Sequence, residues 1–129
     1  MSPSLRTLLY VDAATCGGMG VVLAIGSGLI ADLARLPAEL VFYTGLVLLP
    51  IAAFMAFVAA RPVPPVAGVW LIVVGNVLWV AASGLLLVSG LISPNALGWA
   101  FVIAQALVVA VLARLEFGAL RSAPLHSPA

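Results

Sequence analysis

Lysine is absent from the 129-residue chain, and cysteine and histidine occur once each, as Cys16 and His126. One cysteine excludes an intramolecular disulfide and any CxxC redox pair. One histidine excludes paired axial ligands for a haem, so no cofactor is expected. Charge of either sign is scarce. Five arginines and four acids make up 7% of the residues and leave a net charge of +1. A soluble domain carries roughly 25% charged residues to wet its surface, and nucleic-acid binding needs a dense basic patch. Both are excluded here. Metal-ligand clusters, a Ser/His/Asp set and a Gly-rich phosphate loop are also missing, which speaks against an enzyme.

What is present is apolar surface: 65% of the residues are hydrophobic and the mean hydropathy is +1.32. One span takes about 20 apolar residues, so this length holds four or five helices and no separate soluble domain. Residues 8–31 form a run broken only by Asp12, followed by a charged, turn-prone stretch with Asp32, Arg35, Pro37 and Glu39. Residues 40–60 carry no charge and end at Arg61-Pro62-Val63-Pro64-Pro65, where the prolines cannot continue a helix. Residues 62–113 are uncharged throughout, too long for one span and right for two, with Ser93-Pro94-Asn95 as the break and Pro94 suited to the first turn of the next helix. The expected fold is an all-α membrane protein: a four-transmembrane-helix bundle of two hairpins with helices near 9–31, 38–60, 66–90 and 95–117. It forms one domain over 1–121, with a polar, disordered cytoplasmic tail over 122–129. A cleaved leader is not expected, because Asp12 interrupts the first run and that run is long enough to span.

Four spans put Arg6, Arg61, Arg114 and Arg121 on one side and only Arg35 on the other. The positive-inside rule then places both termini in the cytoplasm. Absence of lysine beside abundant Ala, Val, Leu and Arg points to a GC-rich bacterial genome and hence to the inner membrane. Tyr10, Trp70 and Trp99 fall near helix ends, where amphipathic rings favour the headgroup level. A short echo between residues 21–29 (VVLAIGSGL) and 77–85 (VLWVAASGL) is compatible with a parallel repeat or with chance in low-complexity helices.

Helices in lipid associate through small residues that permit close backbone contact. Cys16, Gly20, Ala24 and Gly28 recur every fourth residue and form such a ridge, facing a partner helix in the bundle or in a second copy. Pro50, midway along the second helix, removes a backbone hydrogen bond and is expected to kink it.

Polar side chains inside a span ask for a partner or a purpose. Asp12 fits two roles: an interfacial acid complementing the helix dipole or pairing with Arg114, and a proton- or cation-responsive carboxylate. Asn76 and Gln105, each about ten residues into its helix, are expected to hydrogen-bond to each other. Trp79 and Ser83 share the face of Asn76 and complete a polar-aromatic patch that serves as bundle glue or as a pocket for a small ligand or lipid headgroup. Arg114, Glu116 and Arg121 read as a charged collar at the membrane surface.

At Gly75-Asn76-Val77-Leu78-Trp79 and at Leu112-Ala113-Arg114-Leu115-Glu116-Phe117-Gly118-Ala119-Leu120-Arg121 the chain resembles a group of short bacterial membrane proteins of unknown function. They have four predicted helices, an early acid and a G-N-x-x-W stretch in the third. The resemblance implies a fold and a compartment and assigns no activity. Small multidrug-resistance exporters offer an analogy in helix number and early carboxylate, without their surrounding residue pattern. The expected function is a non-enzymatic structural or accessory component that packs on itself or on a larger membrane complex. The alternative is a small proton-coupled transporter using Asp12, with Asn76, Trp79 and Gln105 along its path.

Overall fold

Long uncharged runs punctuated by proline and glycine leave helix as the structure that satisfies every backbone group in lipid. The computed structural model describes residues 4–122, and they form five helices with no strand among them: α1 Leu5–Ile25, α2 Ser27–Ala34, α3 Ala38–Ala60, α4 Val66–Val88 and α5 Ala96–Ser122. Four of these, α1, α3, α4 and α5, are long and apolar enough to cross a membrane. Leu71, Leu78, Leu85 and Leu107 are each more than half exposed, an outward apolar surface suited to lipid.

The first predicted helix differs from expectation at both ends. It starts at Leu5 rather than near residue 9, because the Ser4 hydroxyl accepts the Thr7 N–H at 3.1 Å and caps it. It breaks at Gly26, which leaves helical geometry (φ −98°, ψ 18°) and splits off the short α2. The equivalent stretch of the sequence echo, residues 77–85, is continuous helix within α4. α2 ends where Arg35 adopts the left-handed conformation, φ 56°, uncommon for a side-chain-bearing residue. Pro37 precedes α3, and Glu39 in its first turn favours the positive end of the dipole. α3 matches the expected 38–60 and runs as one helix through Pro50.

α5 starts one residue after its cap. Asn95 accepts the Gly98 N–H at 2.9 Å, while its own side chain and backbone N–H donate to Leu33 and Ala34 carbonyls at 2.8 and 3.1 Å. One residue thus starts α5 and ties it to the end of α2. Pro94 stands before this cap and not in the first turn. α5 also continues to Ser122, five residues beyond the expected end. Of the expected tail over 122–129, Ser122 belongs to α5 and 123–129 lie outside the described residues.

Helix α1 packs mainly on α3 and α4 mainly on α5; α1 and α2 also touch α5, whereas α3 and α4 scarcely meet. The α1–α3 crossing is backbone-close. A methyl added at Gly20 would lie 2.9 Å from the Gly45 carbonyl oxygen, and one added at Gly45 would lie 2.6 Å from the Ala24 nitrogen. Gly20 and Ala24 of the ridge are therefore spent inside the chain, on α3, while Cys16 is turned to Asp12 and the cavity. Gly28 does not join it: beyond the break at Gly26 it is exposed, with nothing near its missing side chain. At the end that holds the start of α1, Arg6 donates to the Arg61 and Pro62 carbonyls, both at 2.7 Å, and clasps the α3–α4 turn.

Candidate functional site: a buried carboxyl pair beside an interhelical cavity

Three helices converge on one amide. Asn76, from α4, uses both hydrogens of its Nδ2: one goes to Asp12 Oδ2 of α1 at 2.7 Å, the other to Glu116 Oε1 of α5 at 3.0 Å. Asp12 is 1% exposed, Glu116 0% and Asn76 5%. The Cys16 thiol, one turn from Asp12, donates to Asp12 Oδ1 at 3.7 Å. Glu116 Oε2 is buried without any hydrogen-bond partner. At 1.5 Å per residue, the site lies roughly 9–15 Å along the helices from the end that holds Arg6 and Arg61.

The constellation corrects several expectations. Asp12 is buried inside the bundle, and its partner is Asn76 instead of Arg114. Arg114 is exposed and stands two positions before Glu116, about 200° around an α-helix, so the face that buries one turns the other outward. Glu116 belongs to no surface collar. It lies inside α5 because that helix continues past it, and it shares its face with buried Leu112, Ala113 and Leu120. This i, i+4 spacing of apolar residues around an acid was the available signal. It was hidden by the arginines on either side.

Asn76 and Gln105 do not bond to each other. Gln105 joins the other two polar residues of the patch in a closed ring. Trp79 Nε1 donates to Gln105 Oε1 at 2.8 Å, Gln105 Nε2 donates to Ser83 Oγ at 3.1 Å and to the Val102 carbonyl at 3.0 Å, and Ser83 Oγ donates to the Trp79 carbonyl at 2.8 Å. Asn76, Trp79, Ser83 and Gln105 thus form two separate groups, one turn apart along α4.

Because α3 and α4 scarcely meet, a cavity of about 450 Å³ opens between them, floored by α1 and α5. Small-ligand sites typically measure about 300–1,000 Å³ and are mostly apolar with a few polar groups. Met19, Leu48, Phe54, Met55, Ile72 and Val108 supply apolar wall, and Pro50 lines it from α3. Thr15, Cys16, Asn76, Trp79 and Gln105 are the polar lining residues. A second space of about 180 Å³ follows on the far side of Trp79 and Gln105, bounded by Leu23, Leu40, Thr44 and Phe101. Asn76 belongs to both features. It lines the larger cavity and holds both carboxyl groups directly behind that wall. Compared with protein-family models, curated proteins and solved structures, the chain finds no match.

Proposed function

We propose that this protein is a small proton-coupled carrier of the membrane, in which the Asp12–Glu116 pair holds an exchangeable positive charge and the adjoining cavity holds a small solute with an apolar body. The observation that carries this reading is the double role of Asn76. A ligand that moves the Asn76 side chain alters the hydrogen bonding of both carboxyls, and a proton arriving at the pair alters what Asn76 offers to the cavity. Ionisable groups inside a membrane bundle face its interior and mark ion or substrate pathways. A pair of acids served by one neutral amide is an expensive way to glue helices, and the α1–α3 contact is already secured by Gly20 and Gly45.

The accessory-component reading rested on a lack of deep charge and on a ridge free to meet a partner. Two fully buried acids speak against the first premise. Contact of Gly20 and Ala24 with α3 removes most of the second. We place the protein in a bacterial inner membrane with both termini cytoplasmic. That orientation is supported by the arginine asymmetry and by the Arg6 clasp on the α3–α4 turn at the arginine-rich end.

Proteoliposomes with an entrapped pH dye test the function. Under an imposed pH gradient they are offered three probes sharing one aromatic body: benzylguanidinium, benzenesulfonate and benzyl alcohol. Wild-type protein is expected to move protons in response to at least one probe, and Asp12→Asn protein to move none while inserting normally. Equal fluxes from the two proteins would refute the carrier.

A further inference from the structure

The hydrogen-bonding inventory of the larger cavity is one-sided. Thr15 Oγ1 donates to the Val11 carbonyl and Cys16 to Asp12. Both hydrogens of Asn76 go to the carboxyls, and Trp79 and both hydrogens of Gln105 are engaged in their ring and with Val102. Every side-chain donor in the wall is committed. What remains is acceptor capacity: the Asn76 carbonyl oxygen in the wall itself and, behind that wall and outside the cavity lining, Glu116 Oε2, which has no partner although the side chain is 0% exposed. A ligand that has to be recognised by acceptors alone must bring the donors itself.

Charge points the same way. The titratable and charged groups of α1 are Arg6, Tyr10, Asp12 and Cys16. Arg6 is engaged at the α3–α4 turn and Tyr10 is exposed. α4 has no titratable group, and α2 and α3 have Asp32, Glu39 and Tyr43, all towards the opposite end. On α5, Arg114 is exposed and Arg121 lies over the Phe117 ring at 5.6 Å. Arg61 lies over the Phe57 ring at 5.4 Å, and Arg35 caps α2 at the opposite end; among the described residues no cationic side chain hydrogen-bonds to the carboxyl pair, and its donors, one amide and one thiol, are neutral. The amide nitrogen, at 2.7 and 3.0 Å from the two acids, marks the place where a ligand nitrogen would satisfy both. The Trp79 indole lines the route, and an indole face attracts cations.

Resting on the carrier reading, we infer that the solute is an organic cation bearing N–H donors on an apolar body, such as an aryl- or alkyl-substituted ammonium or guanidinium. Its cationic head displaces the Asn76 amide from between Asp12 and Glu116. The head then takes the place of the proton held by the pair: the N–H bonds of the ligand stay intact, one O–H bond breaks, and the proton leaves to water. Proton and cation therefore exclude each other, and the carrier is an exchanger.

Calorimetry on purified protein in weakly buffered detergent tests the assignment, with benzylguanidinium, benzyltrimethylammonium (cationic without N–H donors) and benzyl alcohol (neutral) as probes. Benzylguanidinium is expected to bind one per chain, to release a proton on binding, and to bind at least tenfold more tightly than either control. Glu116→Gln is expected to weaken it at least tenfold. Gly75→Leu is the second variant: Gly75 belongs to the cavity lining, and a Cβ added there meets nothing within 4 Å. It is expected to block binding while leaving the fold intact. Equal binding of all three probes, or no binding of benzylguanidinium, overturns the assignment. A proton flux answering only to benzenesulfonate or benzyl alcohol in the liposome assay would overturn it too, while leaving the carrier standing.

Discussion

Replacing Asn76 by leucine keeps the size and shape of the side chain and removes both of its donors. Asp12 and Glu116 then face each other in an apolar interior with the Cys16 thiol as their remaining neighbour. Glu116 Oε2 is already without a partner, so no further amide, hydroxyl or cationic donor takes the place of Asn76. A hydrogen bond to a charged group contributes roughly 1.5–3 kcal/mol in soluble proteins, whereas an average interhelical bond in lipid contributes about 0.6 kcal/mol. Two bonds lost therefore bracket about 1–6 kcal/mol. Both acids are sealed from water and no counter-charge bonds to them, so the upper half of that range applies, about 3.5–6 kcal/mol. Reversible unfolding of the purified protein in mixed micelles, followed by far-ultraviolet circular dichroism, measures the loss. The companion variant Asp12→Leu/Asn76→Leu/Glu116→Met, with all three polar groups replaced, should recover most of it, because removing every partner removes the desolvation penalty as well. An Asn76→Leu protein as stable as wild type, or a triple variant less stable than the single one, would refute the reasoning.

Three further outcomes follow from the packing. Gly45→Ala forces a methyl against the Ala24 nitrogen and the Gly20 carbonyl, at 2.6 and 2.7 Å, and should destabilise the bundle by about 1–3 kcal/mol; Gly18→Ala, with nothing within 4 Å, is the neutral control in the same unfolding assay. Asn95→Ala removes the cap of α5 and the bond to Leu33, a loss of about 1–2 kcal/mol, accompanied by faster amide exchange at Gly98 and Trp99. Trp79→Phe strands Gln105 Oε1 and should cost about 1 kcal/mol, with no change in the protonation of the Asp12–Glu116 pair, since the two polar groups are separate.

The spans were legible because lipid demands long apolar runs and because proline and arginine clusters end them; residues 38–60 matched to the residue. The break at Gly26 was not, since glycine is common inside transmembrane helices and only the local backbone reveals whether it interrupts one. Asp12, Asn76, Trp79, Ser83 and Gln105 were all visible as polar residues in lipid, and nothing in a one-dimensional pattern says which amide meets which acid. The partnerships depend on helix rotation and relative height, which is why Gln105 turned to Trp79 and Asn76 turned to the carboxyls. Glu116 was missed for a different reason. A residue between Arg114 and Arg121 looks interfacial until the helix is known to run to Ser122, which moves the acid more than a turn inward.

Infrared spectroscopy of the reconstituted protein tests the central claim most directly, by following the C=O stretching band of protonated carboxyl groups as pH is varied. A single exchangeable proton held jointly by Asp12 and Glu116 predicts one such band, which titrates in the wild type and is lost or displaced in both Asp12→Asn and Glu116→Gln. A band that stays unchanged in either variant, or no protonated carboxyl at any pH at which the protein remains folded, would contradict a shared proton at this site.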